Sequence, residues 1–163
     1  MSPPVNPSPE IPASVAHRIL ALDVGSRTIG LAVSDPLGIT AQGLETIRRK
    51  NKRADLEALE DVLRHYAVGE IVVGYPLRMS GASGTPSDKM AAFAEDLRRR
   101  FGVPVHLWDE RLTSAQANRL LRETDMSIRR RARVVDRLAA VLILQSFLDH
   151  RQAVASRSQV ASR

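Results

Sequence analysis

The chain has 163 residues, no cysteine, a hydrophobic fraction of 44% and a charged fraction of 26%. These values fit one globular domain with a modest core, and they exclude a disulfide scaffold or a thiolate metal site. The net charge of +6 and the sequence pI of about 10.7 favour polyanionic partners, nucleic acid above all, although arginine-rich genome composition or a solvated tail gives the same balance.

Pro3, Pro4, Pro7, Pro9 and Pro12 crowd the segment Met1 to Ala16, which has too little apolar content to offset its ordering entropy and reads as a disordered tail. Arg18 to Leu22 reads as a strand, Gly25-Ser26-Arg27 as a turn and Thr28 to Ser34 as the second arm of a hairpin. A third strand is expected over Gly43 to Arg48. Arg53 to Tyr66 sets Leu56, Leu59, Leu63 and Tyr66 on one helical face, with Gly69 punctuating the end. Glu70 to Gly74 is a short buried-type strand, and Arg78 to Ser83 a loop. Thr85-Pro86-Ser87-Asp88 has the chemistry of a helix start. Met90, Phe93, Ala94, Leu97 and Phe101 form that helix's apolar stripe. Arg98, Arg99 and Arg100 sit in its last turn, where cations suit the macrodipole, before Gly102 and Pro104. Val105 to Trp108 is a further strand. Thr113 with Gln116 fits a capping box for a helix to about Leu121, and a last helix is expected from Ala132 to Leu148. Arg151 to Arg163 reads as a disordered, frayed tail, which leaves one domain over 17–150.

Three strands joined by short turns favour an antiparallel meander, and later strands alternating with helices favour parallel pairing. The expected fold is an α/β layered domain with a mixed five-stranded sheet flanked by helices. The longest apolar run, Leu138 to Leu144, is too short for a bilayer, and no signal peptide is visible at the N-terminus. A cytoplasmic protein without a membrane partner is expected.

Three carboxylates stand out. Asp23 ends an apolar strand before a glycine turn, where it either caps the turn or serves a site. Glu110 follows a strand, at the sheet edge where sites form, or else pairs with Arg111 on the surface. Asp136 shares a helical face with Ala132, Ala140, Ile143 and Phe147, so it is paired, protonated or bound to a cation, with a salt bridge to Arg133 or Arg137 as the plain alternative. Converging carboxylates repel, and divalent cations relieve that repulsion. Oxygen donors suit Mg²⁺ or Mn²⁺, and two such ions about 3.5–4 Å apart support in-line phosphoryl displacement. Arg27, Arg78, Arg111, the run Arg48-Arg49-Lys50 and the cluster Arg129-Arg130-Arg131 with Arg133 are candidate phosphate contacts, each with a solvated face as its plain alternative. His65, His106 and His150 lack metal-ligand spacing, and Trp108 reads as core.

Four segments resemble one family in order. Leu22-Asp23-Val24-Gly25-Ser26-Arg27-Thr28-Ile29-Gly30 with Ser34-Asp35-Pro36-Leu37-Gly38 resembles the opening motif of the YqgF (RuvX) family. Ile71 to Leu77 with Gly81 and Gly84, Val105 to Thr113, and Val135-Asp136 with Ala139-Ala140 and Leu144-Gln145 resemble its second, third and fourth motifs. The resemblance implies a ribonuclease-H-like fold related to Holliday junction resolvases and a nuclease that processes the 5′ end of the 16S rRNA precursor. It places the family's catalytic acids on Asp23, Glu110 and Asp136. One departure is Arg78-Met79-Ser80, where relatives often carry Asn, Met and Asp; it adds a cation and removes an amide.

The expected activity is metal-dependent hydrolysis of structured RNA, with Asp23, Glu110 and Asp136 holding two Mg²⁺ or Mn²⁺ ions and a monomer or homodimer as the working form. A Holliday junction resolvase would use the same acids but needs a symmetric dimer to cut both strands. A non-catalytic ribosome-assembly factor would bind RNA without needing the acids. An actin-like or sugar-kinase site would need a second lobe, for which the chain is too short.

Overall fold

The structure, a computed structural model, describes residues 17–75, 86–109 and 128–161, of which 86–87, 128–136, 159 and 161 are described in backbone only. The elements are strands β1 (Arg18–Val24), β2 (Thr28–Ser34), β3 (Ala41–Gly43), β4 (Ile47–Arg48), helix α1 (Lys52–His65), β5 (Val68–Tyr75), α2 (Pro86–Phe101), β6 (Val105–Asp109) and α3 (Ile128–Ala161). The expected helix at Thr113 lies outside the described residues.

The sheet runs β3-β2-β1-β5-β6, with β4 pairing β2 beyond β3. β1 and β2 are antiparallel, and β1–β5 and β5–β6 are parallel, so the mixed five-strand-wide sheet expected from the sequence forms. The single third strand anticipated over Gly43 to Arg48 is instead split. Gly43 opposes Ala32 and Ile47 opposes Ile29, so Leu44, Glu45 and Thr46 face only Gly30 and Leu31. One extra residue makes a bulge, which bends the edge and sends Leu44 into the core.

Both faces of β1 are covered, which explains its unbroken apolar run. Leu20 and Leu22 pack with Leu56, Leu59, Leu63, Phe93, Ala94 and Leu97 of α1 and α2. Ile19 and Ala21 pack on the other face with Ala140, Ile143, Leu144, Phe147 and Leu148 of α3. The result is three layers, with α1 and α2 on one side of the sheet and α3 on the other.

α1 begins with Asn51, whose side-chain oxygen accepts the Ala54 N–H at 2.9 Å, an N-cap. Its exit differs from the sequence expectation. The reversal falls on Ala67, at φ 51°, and Gly69 lies inside β5. A Cβ on Gly69 would stand 2.6 Å from His17 Cγ, so this glycine makes room rather than a turn.

α3 also departs from expectation. It continues to Ala161 rather than ending near Leu148, so the stretch 151–161 is helical rather than frayed. Arg151 ties the helix down just past Leu148: it packs its guanidinium 4.6 Å from the centre of the Phe147 ring and bonds both oxygens of the buried Glu70. Gln145 adds a second anchor, donating to Ile39 O at 3.1 Å and accepting from Ala41 N at 3.3 Å. No helix among the described residues is long and apolar enough to cross a membrane.

Candidate active site at the carboxyl edge of the sheet

Strand alternation decides which way Asp23 faces. Ile19 and Ala21 lie against α3, and Asp23 is the next residue of that set. It pairs with Gly30 on β2. On the other side, one step beyond the pairing of Leu22 with Val73, stands Gly74 of β5. The half-buried carboxylate is thus flanked across both ladders by buried glycines, which carry no side chain.

The neighbouring strands end at the same edge. Tyr75 pairs with Asp109, the last residue of β6, and Glu110 lies outside the described residues. His106 and Trp108 of β6 face α3. Trp108 Nε1 donates to Ser146 Oγ at 3.2 Å, and its ring meets Phe147 edge-on at 5.4 Å, so it is a packing residue as expected.

The course of α3 follows from its contacts. Arg151 meets Glu70 near the amino end of β5, whereas Arg137 lies over Gly43, opposite Ala32 at mid-sheet. The helix therefore climbs toward the Asp23 edge as it is followed back from Arg151 to Arg137. Asp136 belongs to α3, one turn before the fully buried Ala140, and its side chain lies outside the described residues. Among the described residues no three His, Asp or Glu side chains gather to hold a metal, and two of the three singled-out acids are not in that set.

The basic candidates divide. Arg27, in the turn after β1, and Arg48 and Lys50, beside it on β4 and its exit, are exposed, and none forms an ion pair among the described residues. Arg49 is engaged inward. Its Nε lies 3.2 Å from Asp55 Oδ2 and its Nη1 donates to Gly25 O at 2.8 Å. Arg78 and Arg111 lie outside the described residues, and Arg129, Arg130, Arg131 and Arg133 are described in backbone only. Arg98, Arg99 and Arg100 meet acids of the protein, Glu95 for the first two and Glu60 for the third.

Two acids escaped the sequence reading. Asp55, almost fully buried on α1, accepts from Arg49 and from Lys50 N–H at 3.0 Å. Glu70 gathers Arg151, His106 Nε2 at 2.6 Å and His17 Nε2 at 3.5 Å. Burial alone would raise its pKa, but Arg151 and then His106 outweigh burial and hold the carboxyl at about 2. The available signal was an acid inside the apolar run Val68 to Val73, the same signal that marked Asp23. Asp35, within the first motif, builds a turn. It accepts from the N–H groups of Leu37, Ile39 and Thr40, of which Thr40 does most to lower its pKa.

The mixed sheet, its helices on both faces and an acid at the end of the central strand define a ribonuclease-H-like protein. Solved structures share the fold: Thermus thermophilus RuvC in complex with a Holliday junction substrate has a TM-score of 0.50 at 17% identity, covering 83% of this chain and 96% of that one. The Fowlpox virus resolvase with Holliday junction DNA has a TM-score of 0.51 at 12% identity, covering 82% and 97%. The chain belongs to the RuvX family, described as "RuvX: Holliday junction resolvase", which it matches over residues 17–150. A relative from Koribacter versatilis, named "Putative pre-16S rRNA nuclease", is 61% identical over 140 residues, spanning 86% of this chain and 92% of its own. One from Moorella thermoacetica with the same name is 54% identical over 132 residues, spanning 81% and 94%.

Proposed function

We propose that this protein is a metal-dependent endonuclease that hydrolyses phosphodiester bonds of structured RNA in the cytoplasm, with the precursor of 16S rRNA as its substrate. The observation that carries the reading is the setting of Asp23, a carboxylate at the carboxyl end of the central strand, facing α3 between Gly30 and Gly74. Family membership and the names of the relatives supply the activity class.

Glu110 and Asp136 join Asp23 in this reading. In the sequence Glu110 follows directly on Asp109, the last residue of β6. Two strand spacings, about 10 Å, separate β1 from β6, and acids on both strands would hold a cation between them. The climb of α3 toward the Asp23 edge supports Asp136 as the third acid. Two carboxylates 4 Å apart repel by about 4 kcal/mol at an effective dielectric of 20, so the set favours cations, and its hard oxygens fit Mg²⁺ or Mn²⁺. Two such ions, when bound, stabilise the attacking and leaving oxygens of an in-line displacement. The chain's own part is to orient the carboxylates and hold the RNA backbone. Arg27 in the turn after β1 and Arg48 and Lys50 on and just after β4, all exposed, are the proposed phosphate contacts, with Arg78, Arg111, Arg130 and Arg131 as further ones.

Cleavage of a precursor 16S rRNA fragment in Mg²⁺ or Mn²⁺ tests the reading. Asp23→Asn lowers kcat at least about a hundredfold while RNA binding persists; an unchanged rate refutes it. The family description and the solved neighbours favour a second reading, resolution of four-way DNA junctions. Cleavage of a junction by a dimer, with the RNA left intact, would establish that reading instead.

A further inference from the structure

The turn that follows Asp23 is held from outside its own strand pair. Gly25 N–H donates to Thr28 O at 2.9 Å, closing the turn. Arg49 N–H donates to Arg27 O at 2.8 Å, and Arg49 Nη1 donates to Gly25 O at 2.8 Å. One residue therefore grips the turn at both ends, by its backbone and by its guanidinium.

Arg49 is itself fixed. Its Nε is 3.2 Å from Oδ2 of Asp55, a side chain only 3% exposed, whose Oδ1 accepts the Lys50 N–H at 3.0 Å. Asp55 stands in the first turn of α1, where a carboxylate suits the helix dipole. A line of polar contacts thus runs from the start of α1 through Arg49 to the carbonyl of Gly25, two residues beyond Asp23.

We infer that Arg49 and Asp55 are positioning residues for the reaction: they set the Gly25–Arg27 turn, and through it the backbone that carries Asp23 and the exposed Arg27. This rests on the reading of Asp23 as a catalytic carboxylate. It gives Arg49 a role that Arg48 and Lys50 lack, because its Nε and Nη1 are engaged by Asp55 and Gly25 O, facing the protein rather than a phosphate. Lysine at this position does not serve equally, since an ammonium lacks the rigid fork that meets two acceptors at fixed angles.

The test uses the full chain carrying Arg49→Lys or Asp55→Asn, with thermal melting setting a temperature well below each transition. Amide hydrogen exchange is measured on the free protein, without RNA or metal. In both variants exchange at Gly25 and Arg49 quickens relative to amides of β1. On a precursor 16S rRNA fragment, kcat falls about tenfold or more, the Mg²⁺ midpoint rises, and KM and the salt dependence of binding stay as in the wild type. Arg49→Lys alone carries the test if Asp55→Asn does not fold. Unchanged amide exchange in Arg49→Lys overturns the clamp. Faster exchange with wild-type kcat and Mg²⁺ midpoint overturns the positioning role. A salt slope reduced by about one with kcat intact makes Arg49 a phosphate contact instead. An Asp23→Asn variant that stays active defeats the catalytic reading on which the inference rests, and the exchange result separates that failure from failure of the clamp.

Discussion

Glu70→Gln isolates the charge that fastens the C-terminal half of α3 to the sheet. The side chain keeps its shape but loses its charge, beside Arg151, His106 and His17. The Glu70 carboxyl is held at about 2, against an ordinary value of 4.5. A folded-state pKa below the unfolded one means stability that is fully present above about pH 4.5 and lost as pH falls toward 2. Taken whole, the shift corresponds to about 3 kcal/mol. Glu70 is buried, but the side chains of Arg151 and His106 are 46% and 40% exposed, so water screens the pairing. Screening leaves about 1–2 kcal/mol. At pH 7 the variant should melt about 3–6 °C below the wild type, read by circular dichroism or urea titration. The gap should narrow steadily between pH 4.5 and the lowest pH at which both proteins still fold. An equal gap at pH 7 and pH 3 would assign the loss to packing rather than charge, and no gap at pH 7 would refute the pairing argument.

Three further outcomes follow from the same geometry. Arg27→Gln and Arg48→Gln should each flatten the salt dependence of RNA binding by about one unit of slope, whereas Arg98→Gln, paired with Glu95, should leave it unchanged; fluorescence anisotropy from low to moderate salt decides. Gly30→Ala places a Cβ about 5 Å from that of Asp23 on the same face, and should lower metal-dependent cleavage at least about tenfold with a smaller change in melting temperature than Glu70→Gln. Ala67→Gly relieves a left-handed residue, at φ 51°. The relief of about 1–2 kcal/mol, less the entropy glycine adds to the unfolded chain, should stabilise by about 0.5–1 kcal/mol in urea titration.

How far the site could be read in the sequence differs from residue to residue. Asp23 stands out because an acid ending an apolar strand has few inexpensive explanations. Glu70 carried a similar signal, but its partners Arg151 and His106 are distant in sequence, and its short pairing needs could not be seen. Arg49 reads as one of three consecutive cations, and nothing local distinguishes it from Arg48. The acid that separates them, Asp55, sits on the next helix and faces inward only because α1 docks on the sheet.

Local chemistry determined the elements and their order. Apolar runs, helical stripes, the Pro86 start and the basic last turn of α2 depend on residues within a turn or two of one another, so they are written in the chain itself. The four ordered motifs likewise identified the family from the residues alone. The tertiary structure decided what depends on contacts across the fold: the bulge that divides β3 from β4, the continuation of α3 to Ala161, the use of Gly69 as a gap for His17, and the commitment of Arg49 to Asp55. Each joins groups far apart in sequence, and their energies arise only when burial and approach bring them within a few ångströms.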